Sequence, residues 1–420
     1  MTNATSDSSL YIGLYLPDSQ KPTTSALIKL RRDGLRESGY FAYGLGYLNN
    51  PAAIALNPLH LPLRRESHVL PDRLLRDGGA LPLTVKDAMP DAWGRLVLAH
   101  ELGGRMPSER ELLLLTNDDR VGAMVFSETR DMPTPSELPH HDLGQLAEAV
   151  HRLQYDMEIP KPLKRLLQRG GSLGGARPKA SFTHDHALWL AKFSAAGDPL
   201  DVQILEAASL GLAAQCGIRV PQCFTLPVGH GETAFLSRRF DRYGTESRKR
   251  LHFLSASALL DIPYESSAGS YVDFAQKLRR LSVSPAADLE ELFRRLVFNL
   301  LIDNSDDHLK NHGVLYAGNG LYRLSPAFDV VPQLTNLGYQ MLSIDGNTQD
   351  AHLDLAIQVA PHFDLSTDQG IAIVKDLTKT VYGGWRVYAD TAGVPDAIRK
   401  RLDGCFMRQG EIIGAGKYLS

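Results

Sequence analysis

The stretch Asp288–Ile302 restricts the fold more than any other, because its apolar residues recur with helical spacing. The residues at i, i+3, i+4, i+7, i+8, i+11 and i+12 are Leu289, Leu292, Phe293, Leu296, Val297, Leu300 and Leu301. Such residues form one continuous face of an α-helix. The sequence therefore predicts a buried helix that ends at Asp303–Asn304 and continues into a polar loop.

This polar loop and the segment after it carry the strongest chemical signal. The loop reads SDDHLKNH, and a hairpin around Ala317–Gly320 leads from it to PAFDVVP. In protein kinases a buried helix likewise precedes a catalytic loop with the pattern Asp-x-x-x-x-Asn, and a later aspartate binds Mg²⁺. Asp306 and Asn311 have this offset, and Asp329 lies one hairpin further along. Each alone is more often a cap or turn residue, but together they indicate phosphoryl transfer.

Two departures separate this pattern from eukaryotic protein kinases. The His-Arg pair that usually precedes the catalytic aspartate is absent, and the third motif is Phe-Asp-Val rather than Asp-Phe-Gly. The sequence thus indicates a kinase of another type.

A glycine-rich segment, RGGSLGGARPKASF, lies upstream. Its four glycines let backbone N–H groups approach an anion, and Lys179 adds positive charge. The Walker pattern is not met, because Ala176 stands where a lysine is required. Taken alone, the segment is more typical of a flexible turn.

A lysine in an apolar strand-like stretch follows this segment. Lys192 lies in ALWLAKF, and Glu206 lies on the next predicted helix, around Gln203–Cys216. Kinases place such a lysine against the nucleotide phosphates and pair it with a helical glutamate. A lone lysine here would equally suit a strand edge, so its position between the glycines and Glu206 carries the interpretation.

Length and periodicity predict a multidomain α+β chain. At 420 residues the sequence exceeds one ordinary core. We predict an N-terminal subdomain over 1–130, a linker over 131–164, a nucleotide-binding region over 165–245 and a helical lobe over 246–420. In the first of these, strands are expected at 11–16 and 25–30, and one helix from about 85 to 102.

Composition excludes several classes of protein. The net charge of −3 provides no general basic field for nucleic acid. The three cysteines form no C-x-x-C pair, which indicates a reducing compartment, and the 14 histidines show no zinc-ligand spacing. Neither a signal peptide nor an apolar stretch of membrane-spanning length is evident, so we expect a cytoplasmic protein without membrane contact.

Several segments in register resemble one family, the HipA-type kinase toxins of bacterial type II toxin–antitoxin modules. The segments are PDAWGR, DDRVGAMVF, SLGGARPKA, EAASLGLAAQCGIRVP, FLSRRFDR, SDDHLKNH and LSPAFDVVP. The resemblance covers nearly the whole chain. It implies a protein-kinase-like two-lobed fold with an additional N-terminal α/β subdomain and a largely helical C-terminal lobe.

The resemblance also implies roles for individual residues. Asp306 would be the catalytic base, Asn311 and Asp329 the Mg²⁺ ligands, and Ser172 a site of autophosphorylation that silences the enzyme. The remaining positions are expected to bind ATP, and they are Gly174, Gly175, Ala176, Arg177, Pro178, Lys179, Lys192, Glu206, Arg238, Arg239, Phe240, Asp241, His308, Lys310 and Phe328. Apart from the family, a small polar residue at 172 simply suits a glycine turn.

Two positions depart from the family pattern. Arg238 precedes Arg239-Phe240 where the family often has a glutamate, and this change is expected to be tolerated because adenine contacts there are mostly backbone. Asp307 stands where glycine is common, and it adds a negative charge next to Asp306.

For function, the resemblance implies a serine/threonine protein kinase that phosphorylates a translation component such as an aminoacyl-tRNA synthetase. The implied partners are a HipB-like helix-turn-helix antitoxin and, through it, operator DNA. Two alternatives stay open from the sequence. One is a kinase of a small molecule or lipid on the same scaffold, and the other is a catalytically silent corepressor scaffold.

Overall fold

The computed structural model describes residues 5–116, 119–135, 142–170, 177–198, 200–229 and 232–419. Its strands, in chain order, are β1 Thr5–Tyr15, β2 Pro22–Asp33, β3 Arg36–Tyr43, β4 His68–Leu74, β5 Met124–Ser127, β6 Lys179–His184, β7 Ala187–Lys192, β8 Cys223–Gly229, β9 Glu232–Arg238, β10 Arg242–Tyr243, β11 Lys249–Arg250, β12 Phe253–Ser255, β13 Gly313–Gly318 and β14 Leu321–Leu324.

More residues lie in helices than in strands, and helices dominate the C-terminal half. In chain order they are α1 Leu45–Leu48, α2 Leu83–Lys86, α3 Ala92–Glu101, α4 Glu109–Leu114, α5 Leu143–Gln154, α6 Lys161–Gly170, α7 Val202–Gln215, α8 Ala256–Leu260, α9 Tyr271–Leu281, α10 Pro285–Leu301, α11 Leu353–Val359, α12 Thr367–Thr391 and α13 Asp396–Ile412.

The chain forms two compact units. The first comprises Met1–Ala191 and Asp241–Leu254, and the second comprises Lys192–Phe240 and Ser255–Ser420. Helix α5 lies within the range predicted as a linker, 131–164. The boundaries predicted from the sequence remain predictions.

An antiparallel five-stranded sheet in the order β4-β3-β2-β1-β5 forms the centre of the first unit. Alternation along β1 and β2 sends Ile12 and Ile28 into the core, where both are fully buried. Farther along the chain, β6 and β7 are neighbours joined by Asp185 and His186, both of which have positive φ, as a tight two-residue turn requires.

The prediction of a single helix from about 85 to 102 is wrong in one respect. The structure has two helices, α2 and α3, separated by Asp87–Asp91. Pro90 explains the break, because a proline has no N–H for a helical hydrogen bond and disfavours helical geometry in the residue before it.

The second unit is built around α10, the helix that the apolar spacing predicts. Its seven apolar stripe residues are all buried, and it packs on α9, α12 and the turn after α11. Pro285 occupies the first turn, where its missing N–H costs nothing. The hairpins β8–β9 and β13–β14 are antiparallel, and the latter supplies the turn expected near Ala317–Gly320.

Among the helices that the structure describes, none is long and apolar enough to cross a membrane.

Candidate active site

Lys192, the last residue of β7, lies at the centre of the candidate site. Its Nζ donates to both carboxylate oxygens of Glu206 at 2.7 and 2.8 Å and to Oδ1 of Asp329 at 3.0 Å. The amide of Asp329 donates to Glu206 Oε1 at 3.1 Å. The structure thus brings together three residues that are distant in sequence and that the kinase pattern singles out.

Local contacts of α7 place Glu206 beside the lysine. Asp201 caps the helix by accepting from the amides of Gln203 and Ile204. The side chain of Gln203 donates to the carbonyl of Phe193, the residue after Lys192, at 2.8 Å. The first turn of the helix is therefore bound to the end of the lysine strand.

The electrostatics of Lys192 are those of a buried cation with two anionic partners. Burial by itself lowers the pKa of the ammonium, but the carboxylates of Asp329 and Glu206 outweigh it and raise the pKa above the ordinary lysine value. Lys192 is therefore charged at neutral pH. Its Nζ also lies 5.7 Å from the centre of the Phe235 ring, within the range of a cation–π contact.

Asp329 differs from its partners in exposure and backbone. Its side chain is 46% exposed, against 8% for Lys192 and 3% for Glu206. Its φ of 59° lies in the left-handed region, which aspartate tolerates better than most residues. The carboxylate can therefore accept a further ligand from the solvent side.

A second ionic cluster anchors the chain that leads to Asp329. Asp288 is fully buried on α10 and receives hydrogen bonds from Arg219, Arg323, Ser282 and the amide of Leu324. Glu291, one turn on, receives them from Arg219 and Arg295. The Ala327 amide donates to the Arg219 carbonyl at 2.8 Å. These contacts fix the end of β14 and the segment that follows.

Asp303 lies at the predicted end of the core helix, two residues before the predicted catalytic loop SDDHLKNH, and has a φ of 56°. Oδ2 of Asp303 accepts hydrogen bonds from the amides of Thr335 and Asn336 at 2.7 and 2.9 Å. Burial raises the pKa of Asp303, and these amides act in the opposite direction. Asp303 therefore ties the start of the loop to the segment beyond Asp329.

Asp306 and Asp307 are neighbours in the loop but lie in opposite environments. Asp306, the predicted catalytic base, is exposed. Asp307 is 1% exposed, and its carboxylate accepts hydrogen bonds from the Tyr271 hydroxyl and from Nε2 of His312. Burial and Asp307 raise the pKa of Tyr271 well above its ordinary value, so its hydroxyl stays protonated.

Asn311 is buried at the far end of the loop. It lines a small cavity with Asp307, His312 and Phe328, the residue before Asp329. Two other loop residues contact Tyr264. The His308 ring lies 5.0 Å from it, and Nζ of Lys310 lies 4.9 Å above it.

The donors around Asp329 fit a magnesium ion. Mg²⁺ prefers oxygen ligands and is usually held by one or two carboxylates together with substrate phosphates and water. The half-exposed carboxylate of Asp329 and the amide oxygen of Asn311 have this chemistry. Within the described ranges, no three His, Cys, Asp or Glu residues are grouped so that they could hold a metal by themselves.

The predicted adenine-binding segment divides between the two units. Phe240 lies 5.5 Å from Phe328, ring centre to ring centre, in the second unit. Arg238 is exposed and Arg239 is buried. Asp241, expected near the ribose, is buried in the first unit, where it accepts from Arg242 and the Gly122 amide, both at 2.7 Å.

Part of the predicted nucleotide loop lies outside the described residues, namely Gly174, Gly175, Ala176 and the predicted phosphorylation site Ser172. Of its described residues, Arg177 is half-buried, whereas Pro178 and Lys179 are buried. The Trp93 indole donates to the carbonyl of Lys179 at 3.1 Å.

A comparison with protein families decides the relationship of the chain. Residues 171–385 match the HipA-like C-terminal domain. This chain belongs to the HipA-like family. The resemblance identified in the sequence is thereby confirmed.

Individual relatives agree with this assignment. A Sinorhizobium fredii protein named "Putative kinase Y4mE" is 26% identical over 396 residues, which cover 86% of this chain and 83% of that protein. A Haemophilus influenzae "Putative kinase" is 26% identical over 221 residues, covering 45% of this chain and 63% of that one.

A solved structure confirms the predicted HipA-like α+β fold. It is the Shewanella oneidensis MR-1 complex of the toxin–antitoxin system HipA, HipB and operator DNA. One of its chains matches with a TM-score of 0.67 at 15% identity, covering 96% of both chains. At this identity the match concerns the fold alone.

The sequence reasoning missed several residues that shape the site. Tyr271, Asp288 and His312 were not singled out, although each is buried and bonded close to the predicted functional residues. One signal was available, since Asp307 and His312 repeat the five-residue offset of Asp306 and Asn311. Tyr271 is 36 positions from Asp307, and no local pattern links them.

Proposed function

We propose that this protein is an ATP- and Mg²⁺-dependent serine/threonine protein kinase. The observation that carries the proposal is the bridge of Lys192 between Glu206 and Asp329. A buried charged lysine held by a helical glutamate and a half-exposed aspartate is the arrangement on which kinases rely to bind nucleotide phosphates. The HipA-like family membership and the names of the relatives support the same conclusion.

In the proposed complex Lys192 neutralises the α- and β-phosphates of ATP. The positive charge is already in place, because the carboxylates hold the pKa of the ammonium high. Residues 174–179 would surround the phosphates, and the segment Arg238–Asp241 would contact adenine and ribose. Phe240 and Phe328, which touch each other, would supply an apolar surface for the base, with His308 and Lys310 at the edge of the pocket.

Asn311 and Asp329 would hold Mg²⁺, which when bound neutralises charge on the transferring phosphoryl group. Asp306 accepts the proton of the attacking serine or threonine hydroxyl. The hydroxyl oxygen forms a bond to the γ-phosphorus, the bond from that phosphorus to the β–γ bridging oxygen breaks, and ADP leaves. The contribution of the protein is then mainly positioning and charge stabilisation.

The biological setting that we propose follows the family. The protein acts as the toxin of a HipA/HipB-like module and is controlled by autophosphorylation at Ser172. A HipB-like helix-turn-helix antitoxin binds it and connects it to operator DNA. Its substrate is a translation component such as an aminoacyl-tRNA synthetase. The Shewanella complex, which contains HipA, HipB and operator DNA, motivates the partner.

The decisive experiment is incubation of the purified protein with Mg²⁺ and labelled ATP, followed by mass spectrometry to locate phosphate. Asp329→Asn should reduce transfer about a thousand-fold, because a metal ligand contributes several kcal/mol to the transition state. Asp306→Ala should also abolish transfer. Label on Ser172 in the wild type would support autophosphorylation in particular.

Asp364→Asn is the matched control. Asp364 also has a φ of 59°, its side chain is 49% exposed, and it pairs with Arg279 at 2.9 Å. It should transfer phosphate as the wild type does. If ATP binds but no label is taken up, an external substrate such as a small molecule, lipid or other protein must be tested. Absence of ATP binding would overturn the kinase proposal in favour of a silent scaffold.

A further inference from the structure

The catalytic loop contains two overlapping pairs with the same spacing. Asp306 and Asn311 form the predicted functional pair, and Asp307 and His312 follow each of them by one residue. His312 Nε2 lies 3.0 and 3.1 Å from the two carboxylate oxygens of Asp307. The second pair is buried, and its hydrogen bonds join the two ends of the loop. The same two ends carry Asp306 and Asn311.

Contacts from three other parts of the second unit hold this closed loop. Tyr271 on α9 is fully buried and donates to Asp307, while its hydroxyl accepts from Nδ2 of Asn299 on α10 at 2.9 Å. The amide of Leu342 donates to the Asp307 carbonyl at 2.9 Å, and the amide of Ala256 donates to the His312 carbonyl at 2.8 Å. Both backbone positions are therefore fixed.

We infer that Asp307, His312 and Tyr271 are positioning residues that set the separation between Asp306 and Asn311. This inference rests on the proposed kinase function. Each functional residue directly precedes a clamped one, so a change in the Asp307–His312 distance must move both. A displacement of about 1 Å at reacting groups can cost about a hundred-fold in rate. We call Asp307, His312 and Tyr271 the clamp. Turnover should thus depend on the clamp more than nucleotide binding does.

A merely structural role predicts something different. Buried hydrogen bonds stabilise a fold wherever they occur, and their loss would reduce the amount of folded protein without changing turnover per folded molecule. Tyr43 provides this comparison, because it is a buried tyrosine of the first unit with the same bonding. Its hydroxyl donates to the Leu61 carbonyl at 2.6 Å and accepts from the Leu56 amide at 2.8 Å.

The test measures kcat and the KM for ATP, per folded molecule, in full-length wild type, Tyr271→Phe, His312→Ala, His312→Gln and Tyr43→Phe. We expect kcat to fall about a hundred-fold in His312→Ala and about ten-fold in Tyr271→Phe, with each KM within about two-fold of wild type. His312→Gln should recover much of the loss, because its side-chain amide can still donate to Asp307. Tyr43→Phe should lower only the melting temperature.

The inference is overturned if Tyr271→Phe and Tyr43→Phe turn over alike, or if His312→Ala and His312→Gln lose activity equally. Should His312→Ala fail to fold, Tyr271→Phe against Tyr43→Phe decides the question alone. If the wild type transfers phosphate and the clamp variants have the same kcat, only the positioning role is rejected. A wild type that neither binds ATP nor transfers phosphate rejects the kinase proposal and the positioning role with it.

Discussion

The second unit contains two ionic clusters with opposite properties. In the Lys192 cluster the lysine bridges two carboxylates, those of Glu206 and Asp329, and the Asp329 side chain is 46% exposed. The Asp288 cluster has three arginines for two carboxylates, and both carboxylates are buried. A carboxylate that solvent can reach suits a cation from outside, whereas the buried carboxylates of the Asp288 cluster are bonded to arginines of the protein itself. This difference in exposure marks the Lys192 cluster as a candidate site and the Asp288 cluster as its structural support.

The largest effect should come from breaking the supporting cluster. Asp288→Ala leaves Arg219, Arg323 and the Leu324 amide without their buried acceptor. We expect a loss of about 3–5 kcal/mol in the free energy of unfolding, measured by urea denaturation. The matched change Asp364→Ala removes a half-exposed ion pair and should cost at most about 1 kcal/mol. Equal losses would mean that burial does not distinguish the two clusters.

The next effect should come from removing the cation of the functional cluster. Lys192→Met should slow phosphate transfer about a hundred-fold, because it removes a positioned charge from the phosphates. Lys249→Met is the control, since Lys249 also pairs with an aspartate, at 2.6 Å, and lies 5.7 Å from a tyrosine ring. Normal transfer in Lys192→Met would refute the role assigned to this lysine.

A smaller effect is expected for Glu206→Gln. The amide keeps the volume and one acceptor oxygen, but the ion pair with Lys192 is lost, because the amide is uncharged and its –NH2 group cannot accept from the ammonium. Lys192 is then held less firmly, so transfer should fall about ten-fold, with the larger part in the KM for ATP. Glu290→Gln, which alters a partly exposed pair with Arg294 on α10, should leave both constants unchanged.

The smallest effect should be a decrease, at alkaline pH, in the contribution of Lys192 to the free energy of unfolding. The pKa of Lys192 is raised above its unfolded value of 10.5, so its contribution to stability is complete below that pH and declines as the pH rises toward the folded value. The stability gap between wild type and Lys192→Met should narrow by about 1 kcal/mol by about pH 11. The gap for Arg295→Met should stay constant there, because guanidinium remains protonated. Urea denaturation from pH 8 upward measures both, and a constant lysine gap would contradict the raised pKa.

Local patterns predicted much of the second unit. The apolar spacing placed the core helix at 288–302, and the structure has it at Pro285–Leu301. The strand bearing Lys192 and the helix bearing Glu206 also form where the sequence indicates. These elements are readable because their periodicity reflects burial on one face.

Long-range contacts were beyond the sequence. Asp307 was expected to place a charge beside Asp306, yet its carboxylate is buried among side chains from α9 and the end of the loop. Asp241 adjoins the predicted hinge in sequence but is bonded to Gly122, 119 positions away. A local pattern cannot reveal which partner a buried aspartate meets, because the fold decides it.

The hydrogen bonds around Asp307 in the predicted catalytic loop also bear on protein engineering. Their donors and acceptors come from α9, α10 and both ends of the loop. A chimera that grafts only SDDHLKNH onto another scaffold would bury the Asp307 carboxylate and the His312 imidazole without the hydrogen bonds that Tyr271 and Asn299 provide here. A successful transplant must carry Tyr271 and Asn299 along with Asp307 and His312, so the transferable unit is the loop together with two positions far from it in sequence.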